Sequence, residues 1–196
     1  MIRQKIGLVT SNPVKLRIAK RILDRYGISI KRVRLELSEL QSFDVKKVTL
    51  DKAKQAMNHT KKMFIVSDDG FYIHALSGFP GALLKHIRAK LSDRQLLKLI
   101  ENVKDRKAEF VNVIVFVDPK SRLVRAFSTV TKGRMASKPS GFRRVGLGIE
   151  RIFIPDGLTK PIAQLDEKSW EAFWTRYEKN LHYSKLGSWL QRRYRK

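Results

Sequence analysis

The order of hydrophobic segments predicts an α/β protein with a mixed β-sheet flanked by helices. A short apolar run at Lys5–Val9 is followed by a polar turn and by helical periodicity from Lys15 to Tyr26. Later, two β-branched runs, 108–118 and 123–130, flank the turn Asp118–Ser121 and predict an antiparallel hairpin. Strand–helix alternation that gives way to a hairpin indicates a sheet with both parallel and antiparallel pairs.

The other elements of the first half follow from the same periodicities. Apolar and basic residues alternate over Ile28–Leu37, which predicts a half-exposed strand. Apolar residues recur at helical spacing over Val45–Met57 and Leu91–Val103, and Ser92 would cap the second of these helices. The hydrophobic run Met63–Val66 predicts a short buried strand.

The second half predicts fewer regular elements. Gly, Ser, Lys and Arg dominate residues 131–148, which predicts a long surface loop, and Ile152–Gly157 is typical of a short strand and turn. Residues 166–193 predict one or two helices. Four aromatic residues at helical spacing there predict core packing: Trp170, Phe173, Trp174 and Tyr177. The basic end Gln191–Lys196 predicts a solvated tail, with nucleic-acid contact as the alternative.

Length and composition predict a single domain spanning residues 1–196. The chain has 42% hydrophobic residues, enough for a core, and no cysteine, which excludes disulfides and thiolate zinc sites. Its four histidines show no metal-ligand spacing. No signal peptide or membrane-length apolar run is seen, so we expect a cytoplasmic protein without membrane contact.

The charge balance is the unusual feature of the composition. Lys and Arg number 42 against 18 Asp and Glu, a formal net charge of +24 at pH 7. Such a positive field predicts polyanionic partners, either nucleic acid or a nucleoside triphosphate. The alternative is a host whose proteins are generally basic, or a thermophile rich in surface charge.

Two polar segments are candidates for chemistry. Ser67–Phe71, with two adjacent aspartates and a glycine, follows the buried run at Met63–Val66 and predicts either a turn or a metal or catalytic site, because adjacent carboxylates need solvation or a cation. Thr10–Asn12 precedes the first predicted helix. It predicts either an ordinary helix cap or an anion site, with Lys15 one turn further on.

Five sets of segments, in this order along the chain, resemble the motifs of one enzyme family. They are Thr10–Lys15 (T-x-N-x-x-K), Ser38–Gln41 with Lys52–Ala56 (E-x-Q and K-A-x-x-A), Ser67–Phe71 with Ala75–Gly81 (an acidic strand end and A-L-x-G-x-P-G), Gly146–Gly157 (G-F-G-[YW]-D-P-I-F-x-P-x-G) and Glu178–Asn180 (E-K-N). On these motifs the chain is identified as a member of the inosine triphosphate pyrophosphatase family, also called the HAM1 family.

The resemblance implies a fold, an activity and a cofactor. The fold would be an elongated mixed sheet with two lobes and a central cleft, usually in a homodimer. The activity would be Mg²⁺-dependent hydrolysis of a nucleoside triphosphate to the monophosphate and pyrophosphate. Typical substrates would be inosine, deoxyinosine or xanthosine triphosphate.

The resemblance also implies roles for single residues. Asp68 would be the general base or a metal-anchoring carboxylate, Glu39 a metal ligand, and Asp69 an extra carboxylate able to share the metal. Lys15 and Lys85 would serve both catalysis and substrate binding. The full set implied to bind phosphate is Thr10, Asn12, Lys15, Lys85 and Lys179.

The departures from the family motifs concentrate where the family contacts the base. Leu147 and Ile149 stand where the family has aromatic residues, and Glu150 and Arg151 replace Asp and Pro. The family's S-H-R is Tyr183–Lys185 here, so Glu150, Ser184 and Lys185 would have to contact the base. Two hypotheses follow: a pyrophosphatase with altered base preference, or a basic nucleic-acid-binding protein with weak or no catalysis.

Overall fold

The computed structural model of the protein describes residues 4–142 and 148–194. Within them, seven strands form one sheet. In chain order they are β1 (Gln4–Val9), β2 (Ile28–Val33), β3 (Phe64–Ile73), β4 (Pro80–Gly81), β5 (Lys107–Asp118), β6 (Leu123–Met135) and β7 (Phe153–Pro155). The order across the sheet is β2-β1-β3-β5-β6-β7, with β4 beside β3. Pairs β1–β2 and β1–β3 are parallel and the others antiparallel, so the predicted mixed sheet is confirmed.

Six α-helices flank this sheet in the described part of the chain. They are α1 (Pro13–Asp24), α2 (Val45–Met57), α3 (Leu84–Lys90), α4 (Asp93–Lys98), α5 (Glu167–Asn180) and α6 (His182–Tyr194). Side-chain oxygens cap four of them at the N-terminus, and these come from Asn12, Asp44, Ser92 and Asp166. Each cap pairs a backbone N–H that the first helical turn leaves without an intrahelical partner. No helix in residues 4–142 or 148–194 is long and apolar enough to cross a membrane.

Three hydrophobic cores hold the helices to the sheet. Helices α1 and α6 cover one face of β1, β3 and β5, where Ile22, Phe116 and Leu186 are buried together. Helix α2 covers the opposite face, against Phe64 and other residues of β3 and β5. A third core, around Phe71, joins the far ends of β3 and β5 to α4, β7 and α5. The long strands therefore connect two separately packed ends of the molecule.

The polar segment Ser67–Gly70 lies between these cores. The residues before it in β3 belong to the first two cores, and Phe71 and Ile73 after it belong to the third. The expectation that this segment forms a turn or a strand end is wrong. Strand β5 pairs with β3 without interruption from Phe64 to Ile73, so the aspartates lie inside a continuous strand.

Other boundaries differ from the sequence predictions for reasons of pairing. Strand β2 ends at Val33, because its neighbour β1 ends at Val9. Strand β6 continues to Met135 and shortens the predicted loop, because β7 pairs with Gly133–Met135. The helix predicted at 91–103 is shorter in the structure, where only α4 is helical. Helix α3, which precedes it, was not predicted.

The two C-terminal helices confirm their prediction, including the buried aromatic face. Trp174 is 8% exposed, and Trp170 and Phe173 pack against the third core while Tyr177 packs against the first. The exposed end of α6 includes Arg192 and Arg193 of the predicted tail, and residues 195–196 lie outside the described residues.

Gly133 offers a test of the close contact between β6 and β7. A Cβ at this position would lie 2.3 Å from the Ile154 carbonyl oxygen and 2.8 Å from the Phe153 ring. We expect Gly133→Ala to lower the free energy of unfolding by about 1–3 kcal/mol through overpacking. Urea denaturation measures this. The control Ser128→Ala, exposed on the same strand, should change it by less than about 0.5 kcal/mol. Equal stability of Gly133→Ala and the control would contradict the contact.

Candidate active site

The centre of β3 is open on one side because β1 ends early. Strand β1 pairs with β3 only as far as Val66. The next carbonyl oxygen, that of Ser67, accepts a hydrogen bond from Lys15 Nζ at 3.0 Å. Side chains alternate along a strand, so Ser67 and Asp69 share one face of the sheet and Asp68 lies on the other. The two aspartates thus point to different faces at the position where the parallel neighbour ends.

Asp68 lies between two lysines. Its Oδ1 is 3.3 Å from Lys15 Nζ, and its Oδ2 is 2.5 Å from Lys52 Nζ. Lys52 also lies 2.6 Å from Glu39 Oε1, and His86 Nε2 lies 3.1 Å from Glu39 Oε2. A continuous chain of ionic contacts therefore joins α1, β3, α2 and the segment before α2.

Lys15 links this chain to the other face of the sheet. Its Nζ is 3.1 Å from Asp69 Oδ2 as well as in contact with Asp68. Asp69 Oδ1 accepts a hydrogen bond from Asn112 Nδ2 at 2.7 Å, and Tyr177 donates to Asn112 Oδ1 at 3.0 Å. We call Lys15, Glu39, Lys52, Asp68 and Asp69 the carboxylate–lysine cluster.

Contacts within the cluster shift the pKa values of both lysines and of two carboxylates toward the charged form. Burial alone would lower the pKa of Lys15, but the carboxylates of Asp69 and Asp68 outweigh it and raise that pKa. Burial likewise opposes the ionised form of Asp68, yet Lys15 and Lys52 hold its pKa below the ordinary value. The hydrogen bond from Lys52 lowers the pKa of Glu39. The pKa of Lys52 is raised, because Asp68 and Glu39 outweigh its burial.

The cluster fits a divalent cation through two carboxylates. No group of three or more His, Asp or Glu side chains suited to a metal occurs within residues 4–142 and 148–194. Glu39 and Asp68, however, both contact the single ammonium of Lys52, so their oxygens already face one cationic position. Mg²⁺ is typically held by one or two carboxylates, with substrate phosphates and water completing its shell. Asp69 points to the other face of β3, and the structure does not bring it to Glu39.

The predicted phosphate-binding residues are only partly gathered. The Asn12 side chain caps α1, accepting from the N–H of Val14 at 2.8 Å and of Lys15 at 3.4 Å, and Thr10 Oγ1 accepts from Asn12 N–H at 3.1 Å. The turn therefore acts as a helix cap and places Lys15 in the first turn of α1. Lys85 is exposed on α3, next to the His86 that contacts Glu39.

The residues predicted to contact the base are buried or donate hydrogen bonds to backbone carbonyls. Glu150 is 1% exposed. Ser184 Oγ donates to the Glu178 carbonyl at 2.6 Å, and Lys185 Nζ donates to the Ser128 carbonyl at 2.6 Å. Lys179 is exposed in the last turn of α5. Leu147 lies outside the described residues, and Ile149 is buried in the third core.

Sequence reasoning missed Lys52, Asn112 and His86 as site residues. Lys52 had a detectable signal, because it stands seven residues after Val45 and four before Ala56, on the stripe of α2 that is otherwise buried. A charged residue in the apolar stripe of an amphipathic helix needs a buried partner. Asn112 had a weaker signal, as the one amide in the apolar run of β5. His86 had none.

His182 lies close to the cluster and is buried without hydrogen bonds. It is 3% exposed, and neither ring nitrogen has a hydrogen-bond partner among the described residues. Its ring centroid is 4.1 Å from that of Tyr183, whose hydroxyl lies 2.9 Å from Ser67 Oγ. Burial, with Lys15 and Lys185 adding to it and Asp69 opposing, lowers the pKa of His182 to about 3.

This depressed pKa predicts a pH-dependent stability. Between its unfolded pKa of about 6.5 and its folded value of about 3, His182 binds a proton only in the unfolded state. The free energy of unfolding should therefore fall as the pH drops from 6.5, by up to about 1.4 kcal/mol per pH unit. Chemical denaturation at pH 7, 6 and 5 measures this above the range in which Asp68 and Glu39 titrate.

The matched variant is His182→Phe, which keeps a ring beside Tyr183 and cannot titrate. It should lose most of the slope between pH 6.5 and 5, while His59, His74 and His86 remain in both proteins. An unchanged slope would show that His182 is not buried in its neutral form.

Comparisons with known proteins show to which family the chain belongs. Residues 6–178 match the model of the Ham1 family. A dITP/XTP pyrophosphatase of Methanopyrus kandleri is 37% identical over 161 residues, 82% of this chain and 84% of the relative. One from Pyrobaculum aerophilum is 32% identical over 190 residues, 96% and 97% of the two chains.

Solved structures show the same fold. The Ham1 protein of Staphylococcus aureus superposes with a TM-score of 0.74 at 24% identity, over 96% of each chain. A nucleoside-triphosphatase, dITP/XTP pyrophosphatase, from Mycobacterium abscessus gives 0.72 at 25% identity, over 88% of this chain and 95% of that one. With matching motifs, fold and close relatives, this chain belongs to the Ham1 family.

Proposed function

We propose that this protein hydrolyses nucleoside triphosphates with non-canonical purines, such as dITP and XTP, to the monophosphate and pyrophosphate. The observation that carries the proposal is Asp68, a carboxylate held between the ammonium groups of Lys15 and Lys52. Relatives that carry the name dITP/XTP pyrophosphatase cover more than four fifths of the chain, which supports this activity.

The charges suit an incoming polyphosphate. A triphosphate is a stronger partner for an ammonium group than a single carboxylate, so Lys15 and Lys52 can exchange Asp68 for phosphate oxygens. Lys15 and Lys52 hold the pKa of Asp68 below its ordinary value, and moving their ammonium groups to the phosphates frees the carboxylate oxygens for an attacking water and a metal ion. Binding of the substrate thereby prepares the carboxylate.

Asp68 then acts as the general base for the attacking water. The water oxygen forms a bond to the α-phosphorus, the bond from that phosphorus to the α–β bridging oxygen breaks, and pyrophosphate leaves. The proton of the water passes to Asp68. Lys15 and Lys52 stabilise the negative charge that develops on the phosphate oxygens.

We further propose that Glu39 and Asp68 hold a Mg²⁺ ion with the substrate. When bound, the ion would neutralise phosphate charge and orient the phosphates. Lys85, exposed on α3 beside the residue that contacts Glu39, would reach the far end of the triphosphate. Thr10, Asn12 and Lys179 remain candidates for phosphate contacts, and a cytoplasmic homodimer remains our expectation.

The base half of the site is proposed to be less selective than in the family motifs. Ser184 and Glu150 are buried, and Lys185 is bonded to a backbone carbonyl. A site that offers few hydrogen bonds to a base edge discriminates weakly. The rival function, nucleic-acid binding with weak or no catalysis, predicts weak or no turnover together with salt-sensitive binding of DNA or RNA.

A panel of triphosphates distinguishes these two functions. We expect pyrophosphate release with Mg²⁺ from dITP, ITP and XTP, and a smaller but measurable release from dATP and dGTP because the base contacts are altered. Initial rates at equal concentrations measure it. Absence of release from every nucleotide would reject the enzyme.

Asp68→Asn tests the base. The amide keeps the shape but cannot take the proton, so we expect kcat to fall by about 10²–10⁴-fold with KM little changed. Asp69→Asn is the matched control, since Asp69 shares Lys15 with Asp68 but lies on the other face of β3, where it hydrogen-bonds Asn112. The kcat of Asp69→Asn should fall by less than about tenfold. An unchanged kcat for Asp68→Asn would show that Asp68 is not the general base.

Lys15→Ala tests the phosphate contact. Losing a charged hydrogen bond of about 1.5–3 kcal/mol should weaken triphosphate binding by roughly 10–100-fold. Isothermal titration of a non-hydrolysable triphosphate measures this, with Lys20→Ala, exposed on the same helix, as control. Equal affinity in both variants would place the triphosphate elsewhere.

A further inference from the structure

A second group of positive side chains lies away from the carboxylate–lysine cluster, where α6 packs beside β6. The guanidinium carbons of Arg125 and Arg193 lie 5.7 and 5.6 Å from the ring centroid of Trp189. Arg125 is also 5.9 Å from the ring of Phe127, and Arg193 is 5.8 Å from that of Tyr194. We call these five residues the arginine–aromatic surface.

The surface is built on the first hydrophobic core. The Trp189 ring lies 5.6 Å from that of the buried Phe116 and 5.7 Å from that of Phe127. Arg125 and Arg193 are exposed, and Tyr194 is 37% exposed. A fixed aromatic base with charged groups at its outer side is therefore presented to solvent.

Arg125 and Arg193 differ from the nearby arginines of α1 and its C-terminal end in how their charge is balanced. Arg21 and Arg25 both pair with the buried carboxylate of Glu178. In residues 4–142 and 148–194, by contrast, no carboxylate lies within ion-pair distance of Arg125 or Arg193.

Neighbouring positions add more positive charge than negative. Lys120 and Arg122 are exposed in the turn before β6, and Arg192 is exposed beside Arg193. The carboxylate of Asp118 in the same turn accepts hydrogen bonds from the Lys120 N–H and the Ser121 hydroxyl. The surface thus attracts an extended polyanion.

We propose that the arginine–aromatic surface binds single-stranded nucleic acid. Guanidinium groups match phosphate oxygens in bidentate hydrogen bonds, and aromatic rings stack on bases. Arginines interleaved with aromatic rings offer both contacts within a few ångströms of each other. None of the five residues belongs to the family motifs or to the carboxylate–lysine cluster, so the surface is separate from the hydrolytic motifs.

Fluorescence anisotropy with a labelled 20-nucleotide single-stranded RNA tests the proposal. We expect binding whose affinity falls steeply between 50 and 200 mM KCl, because phosphate contacts release counterions. The double variant Arg125→Gln/Arg193→Gln should bind at least about tenfold more weakly at 100 mM KCl, and the salt slope should fall by about 1.4.

The matched control removes two charges from elsewhere. Arg94 and Lys98 are exposed on α4, which packs on the third core at the other end of the long strands. Arg94→Gln/Lys98→Gln should bind within about threefold of the unmodified protein, since it alters only the general field. Hydrolysis of dITP by each variant checks that the fold is intact, and it should not change.

Three results would overturn the proposal. The first is no binding of the RNA at 50 mM KCl. The second is an equal loss of affinity in both double variants, which would assign binding to the overall charge. The third is equal competition by polyglutamate or by anionic phosphatidylserine vesicles at matched charge, which would show that bases make no contribution. Weakened binding by Tyr194→Ala supports the stacking contact.

Discussion

The structure depends on balancing the charge of two adjacent, half-buried carboxylates inside a continuous sheet strand. Asp68 and Asp69 lie in the middle of β3, between hydrophobic cores, where an uncompensated charge would cost several kcal/mol. Lys15 compensates both faces at once, since its ammonium contacts each aspartate and the Ser67 carbonyl. That contact is possible only because β1 stops at Val9 and leaves the edge of β3 open. The end of β1 thus leaves the carboxylates of β3 without a neighbouring strand and leaves room for the lysines that balance their charge.

The same constraint explains which elements of the fold could be predicted from the sequence. The helix Val45–Met57 and the sheet class followed from periodicity, because burial on one face leaves a regular pattern. The Asp-Asp-Gly segment resembled a turn, because polar residues and glycine interrupt strands when only local propensity acts. Twelve-residue β5 overrides that propensity by pairing across the whole interval, and pairing between distant segments is not visible in a local pattern.

The structure gathers some of the motif residues and leaves others apart. Lys15, Glu39 and Asp68 belong to one chain of ionic contacts, whereas Lys85 and Lys179 are exposed on α3 and α5. Lys52 completes the cluster from the buried stripe of α2, and Asn112 holds Asp69 from the neighbouring strand. The register between β3 and β5 sets the contact of Asn112 with Asp69, and the rotation of α2 about its axis sets the contact of Lys52. Both depend on tertiary packing, which composition and spacing do not show.

A structure with bound substrate analogue tests the central claim most directly. Crystals with Mg²⁺ and an α,β-imido analogue of dITP, which cannot be cleaved at the α–β bridge, should show phosphates between Lys15 and Lys52 and the ion on Glu39 and Asp68. The groove of about 420 Å³ between α5 and β6, lined by Tyr177 among others, is a distinct alternative location. Phosphates bound there, with the Lys52–Asp68 contact intact, would contradict the account.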